Sequence, residues 1–104
     1  SRAGWAKRLA WQNMEIEKLI AALEETITHL RKSQISGSSN MSAEEIIRKL
    51  EVEISKARNA KPMDVYKLEL LFAPTGVIQV TSIDNGWGTR FLRIAEVVDE
   101  FIGG

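Results

Sequence analysis

Between Asp84 and Arg93 the chain reads DNGWGTRFLR, the one segment whose residue types converge on a binding chemistry. Asn85 and Gly86 favour a tight turn, and Gly86 and Gly88 flank Trp87 with the most permissive backbone available. Thr89 can then cap a helix that carries Arg90 and Arg93 in its first turns. Cations placed there oppose the helix dipole, as do Asp99 and Glu100 in the last turn, and each such placement gives up a few tenths to about 1 kcal/mol. Charges set against the dipole point to stabilisation from elsewhere. One source is a protein partner meeting a Trp and Arg cluster, residue types rich in binding hot spots; another is an anion held by Arg90, Arg93 and the free amides of the helix start. The candidate site is therefore Gly86, Trp87, Gly88, Thr89, Arg90 and Arg93. The competing structural reading has Trp87 cap the core while Arg93 pairs with Glu96.

No residue set supports catalysis. The glycine pair lacks the third glycine and preceding parallel strand of a dinucleotide fingerprint, and there is no P-loop. The sole histidine, His29, falls on the polar side of its helical pattern with no cysteine or well-spaced carboxylate beside it, so a solvated surface position is expected. Adjacent acids (Glu24 with Glu25, Glu44 with Glu45, Asp99 with Glu100) point in different directions on a helix and make no acid/base pair. The serines cluster in a linker away from any base. With no cysteine, disulfides, thiolate metal sites and cysteine nucleophiles are excluded together. The expectation is a non-enzymatic chain without cofactor or metal.

Fourteen acids balance fourteen bases, so no global field gathers a nucleic-acid backbone, and nucleic-acid binding is disfavoured. The bases Arg48, Lys49, Lys56, Arg58 and Lys61 are interleaved with Glu51 and Glu53, the pattern of a solvated face. The N-terminal third leans basic and the segment after Val65 leans acidic, a dipolar distribution suited to self-association. No apolar run approaches a membrane span and no secretion signal is evident, so a cytoplasmic protein is expected. The chain begins with Ser1, and Met14 and Met41 are candidate internal starts.

The elements that must position these residues follow from periodicity. Residues 1–34 lack proline and, after Gly4, glycine, and carry a long amphipathic helix. Its stripe Leu9, Asn13, Ile16, Ile20, Leu23, Ile27 and Leu30 alternates steps of four and three, placing Asn13, Ile20 and Ile27 at heptad a and the others at d. That choice favours a parallel two-stranded coiled coil with Asn setting the register, and hence a homodimer. Leu19 beside the seam equally fits a broader core face. Trp5 and Trp11, with Lys7 and Arg8 between them, suggest a further partner contact. Residues 35–41 form a small polar linker.

A core module is expected over 42–104. Ser42 and Glu45 form a capping box and Met41 a staple onto Ile46, which starts a second helix ending before Pro62. From Val65 the apolar residues alternate: Tyr66, Leu68, Leu70 and Phe72, then APTG, then VIQVTSI. This predicts a β-hairpin of strands 65–72 and 77–83 about a Pro74 to Gly76 turn. A last helix with apolar face Phe91, Leu92, Ile94, Ala95, Val98, Phe101 and Ile102 closes the chain at Gly103. The predicted class is α+β in the order α-α-β-β-α. Because a lone hairpin is marginal and leaves edges open, two copies are expected to pair hairpins into a four-stranded sheet across the homodimer. Function is read as an interaction module: a homodimeric adaptor, inhibitor or immunity-type factor for an unknown protein partner. Alternatives are a small anionic-ligand sensor at residues 84–93 and a nucleic-acid-binding regulator.

Overall fold

The structure is a computed structural model that describes the backbone of residues 2–35 and 41–103, and their side chains from Glu15 onward. The described residues form five helices: α1 (Arg2–Arg31), α2 (Ala43–Arg58), α3 (Val65–Leu71), α4 (Val77–Asp84) and α5 (Gly88–Gly103). There is no strand among them. The α+β expectation, its hairpin and the intermolecular four-stranded sheet are therefore overturned, and the class is all-α.

The physical reason lies in what each conformation leaves unpaired. A two-stranded hairpin with no third strand exposes a row of backbone donors and acceptors along each edge, whereas a helix satisfies its backbone locally. The side chains agree with the helix. Leu68, Leu71 and Phe72 are buried, at i, i+3 and i+4, while Tyr66 and Leu70 of the supposed inward stripe are exposed. In α4 the buried positions are Ile78, Thr81 and Ser82, again at i, i+3 and i+4. Asp64 caps α3 by accepting from the Lys67 amide at 3.0 Å. The APTG turn survives as a helix–helix corner, in which Gly76 precedes α4 and a Cβ there would lie 2.9 Å from the Ala73 carbonyl oxygen.

Ser42 caps α2 as expected, without the reciprocal bond from the Glu45 side chain. Ser42 Oγ accepts from the Glu45 amide at 3.2 Å, with Glu44 and Glu45 in the first turn and Lys56 and Arg58 in the last, all favourable to the dipole. Both α2 and α5 pack on α1. Helix α5 runs antiparallel to α1: Arg90 at its start meets Glu25, and Phe101 near its end shares an apolar cleft with Ile16 and Ala57. The core joins Leu19, Leu23, Ile27 and Leu30 of α1 to Ile46, Leu50 and Ile54 of α2, and to Leu68, Ile78, Phe91, Ile94 and Val98. Each fully buried Leu, Ile or Phe contributes about 1.5–3 kcal/mol of transfer free energy. Phe72 and Phe91 lie with ring centroids 6.2 Å apart, tying the α3–α4 corner to α5.

Helix α1, with 30 residues, runs about 45 Å, against about 24 Å for each 16-residue partner. It therefore extends past them, and the molecule measures 55 × 24 × 21 Å.

Candidate interaction surface

Trp87 is 8 % exposed and sits where the end of α1 meets the start of α5. Its ring stacks on His29 with centroids 4.7 Å apart and planes 12° from parallel. Its Nε1–H donates to Ser33 Oγ at 2.8 Å, and Ser33 Oγ donates in turn to the His29 carbonyl at 2.8 Å. His29 is thus half-buried against an aromatic ring, not solvated as its heptad position suggested. Its Nε2 lies 3.3 Å from Glu25 Oε2. The Arg90 guanidinium makes a two-pronged pair with Glu25: Nη2 reaches Oε1 at 2.6 Å and Nε donates to Oε2. That guanidinium, followed by the smaller influence of His29, outweighs burial and holds the Glu25 carboxyl below the usual carboxylate range.

Asn85 closes the same corner from α4. Its side chain accepts from the Gln34 amide at 3.0 Å and donates to the Gln34 carbonyl at 2.9 Å. Gly86, with φ of +84°, turns the chain in the left-handed region that glycine enters without penalty. The Trp87 amide donates to the Ser82 carbonyl at 2.8 Å, and the Phe91 amide to the Trp87 carbonyl. Helix α5 consequently starts at Gly88, so Thr89 lies inside its first turn and does not cap it as the sequence suggested.

The candidate residues thus divide. Trp87 and Arg90 turn towards α1, while Gly86 and Thr89 are exposed and Gly88 is half-buried. Arg93 lines a cleft between α1 and α5 with Lys18, Glu25 and Glu96, but forms no ion pair with a described residue, Glu96 included. Of the proposed seam, Leu23, Ile27 and Leu30 lie in the chain's own core, and Ile20 packs against its edge. Ile16 is half-buried. Leu9 and Asn13, like Trp5 and Trp11, lie outside the residues whose side chains are described.

Glu53, read from sequence as part of a solvated face, is wholly buried. Burial alone would raise its pKa, but a hydrogen bond from the Asp64 amide at 2.7 Å and ion pairs to Lys56 and Lys67, each at 3.1 Å, hold it below the usual range. The group fastens the loop ahead of α3 to α2. One sequence signal could have found it: Glu53 lies on the Ile46, Leu50, Ile54 face, seven residues after Ile46, with Lys56 one turn on.

A third region was missed because Val80 and Ile83 were read as part of a strand and Leu92 as part of the apolar face of the last helix. Val80 and Ile83 of α4 are 43 % and 63 % exposed, and Leu92 of α5 is 54 % exposed. Helix geometry places them on one side of the α4–α5 corner. Val80 and Ile83 stand one turn apart, Ile83 Cγ1 lies 3.2 Å from where a Gly88 Cβ would be, and Leu92 stands one turn after Gly88. Helical side chains lean towards the N-terminus, which brings Leu92 over Gly88 and towards Ile83.

Among the described residues no group of histidines and carboxylates could hold a metal ion, and no helix is long and apolar enough to cross a membrane. The molecule so defined is a small helical bundle with an aromatic corner inside and an aliphatic row outside. No family model matches the chain, and no curated protein or solved structure was found to be similar to it.

Proposed function

We propose that this chain is a non-enzymatic protein-interaction module that engages a protein partner through the α4–α5 face. The observation that carries this reading is the exposed row of Val80, Ile83 and Leu92. Single exposed aliphatics are ordinary, whereas contiguous ones mark interaction sites. The row stands on rigid helices joined by the Asn85–Gly86 corner, and that corner is fastened to α1 through Gln34 and Ser33. A preorganised surface of this kind binds without a large ordering cost.

Capture from extract by the immobilised chain tests it, comparing wild type with the double variant Ile83→Ser/Leu92→Ser and with Val52→Ser on the outer side of α2. The reading expects a protein retained by wild type and Val52→Ser and lost from the double variant. An identical retained set for all three would overturn it.

Self-association through α1 is a second reading, favoured by the length of that helix beyond α2 and α5. Leu9, Asn13 and Ile16 continue the heptad in that direction. Sedimentation over a concentration series is expected to show dimer, and monomer at every concentration would remove this reading.

A further inference from the structure

We infer that the α4–α5 face receives a basic amphipathic helix from another protein, one whose aliphatic residues cover Ile83 and Leu92 while its lysines or arginines meet Asp84, Glu96 and Asp99. The inference rests on the interaction reading above and adds the chemistry of the partner.

The apolar row has an acidic border. Asp84 lies one turn beyond Val80 on the outer side of α4, and Glu96 and Asp99 follow Leu92 at i+4 and i+7, within one stripe of α5. All three are exposed. None makes an ion pair with a described residue. Arg93 lines the cleft towards α1 together with Glu96, one turn on, but makes no ion pair with it, so one unpaired base of α5 stands beside the three acids.

The arrangement also departs from the pattern that α2 follows. Helix α2 has acids in its first turn and bases in its last, while α5 has no acid in its first turn and no base in its last. Its acids Glu96, Asp99 and Glu100 fall instead in the C-terminal half, where the dipole disfavours anions. A chain that follows the dipole in one 16-residue helix and opposes it in another, on the stripe that also exposes Leu92, presents an unmatched negative potential beside an apolar surface. Its complement is a cationic, apolar-faced segment. A helix fits best, because an apolar stripe bordered by charge is read by i, i+3 and i+4 side chains. The long arms of lysine and arginine can lie along Leu92 while their ends reach the acids. Electrostatic steering would then set the rate of encounter, and the aliphatic contact the residence time.

The probe is a synthetic amphipathic helix of about 14 residues, roughly the length of α5, built from leucine and lysine. Two controls accompany it: the same pattern with glutamate for lysine, and a scrambled lysine–leucine peptide. Fluorescence anisotropy with the full chain is expected to show binding of the lysine helix, weakened about tenfold by Ile83→Ser/Leu92→Ser and several-fold by Glu96→Gln/Asp99→Gln. Affinity is expected to fall as salt rises from about 50 to 300 mM, and Val52→Ser to leave it unchanged. All substituted positions are exposed, and circular dichroism confirms that each variant is folded. No binding of the lysine helix, equal binding of the glutamate helix or scrambled peptide, or indifference to both double variants would overturn the inference. Loss of face-dependent capture from extract would remove the interaction reading as well. Face-dependent capture of a second copy of this chain or of an acidic segment, without lysine-helix binding, would leave that reading standing and remove only the basic partner.

Discussion

Glu53 shows how one side chain can set local geometry. Its carboxylate is fully buried, yet it stays ionised because the Asp64 amide and two lysines supply hydrogen bonds and charge that outweigh desolvation. Replacing it with glutamine keeps the shape but removes the charge that Lys56 and Lys67 answer. Glu53→Gln is expected to lower stability by about 2–3 kcal/mol, less than breaking a fully buried pair because both lysines can turn to water. Chemical denaturation measures this directly. The pH dependence follows from the same residues. Glu25 and Glu53 have folded pKa values below their ordinary 4.5, so their contribution is present above the unfolded value and lost as pH falls through the folded one. Stability is expected to decline below about pH 4.5, less steeply in Glu53→Gln than in wild type. A parallel decline in both proteins would show that Glu53 does not drive the acid loss. At the aromatic corner, Trp87→Phe keeps a ring for His29 but removes the bond to Ser33, at a cost of about 1 kcal/mol.

At the scale of elements, helices with two strong signals were legible in the sequence and helices with one were not. Helix α2 has a capping box, a staple and a terminal proline, and the apolar spacing of α1 runs over many turns. Helices α3 and α4 have seven and eight residues, about two turns each, too few for a 3.6-residue period to be told from a period of two. In α4 the buried set includes Thr81 and Ser82, so the polar residues hid the inward face. Asp64 was the overlooked signal, since a cap three residues before Lys67 belongs to a helix. Asp64→Ala is therefore expected to cost about 1 kcal/mol, measured by denaturant unfolding. In a hairpin, an exposed loop aspartate at that position would be nearly neutral. Leu92 was placed on the apolar face of the last helix although, next to the buried Phe91, it points outward, and this concealed the face on which the functional reading rests. The Asp84 to Arg93 segment was singled out from its residue types. What could not be read there was its division between an inward aromatic corner and an outward surface, because the partners of Trp87 and Arg90 lie more than fifty residues away, on α1 and just past its end.

For the molecule as a whole, neutrality overall conceals an ordered distribution of charge. Glu24, Glu25 and Glu53 are paired across α1, α2, α3 and α5, while Glu96 and Asp99 of α5 form no ion pair with a described residue and stand beside the exposed Leu92. On the proposed reading, a second surface matches this layout. Site-specific photo-cross-linking from position 92 is the most direct test, with a cross-linker at position 52 as the control. A discrete protein adduct is expected from position 92 in extract, absent from position 52 and abolished by Ile83→Ser. Illumination that yields no adduct at position 92, or the same adducts from both positions, would contradict the claim that the α4–α5 face is where this protein meets its partner.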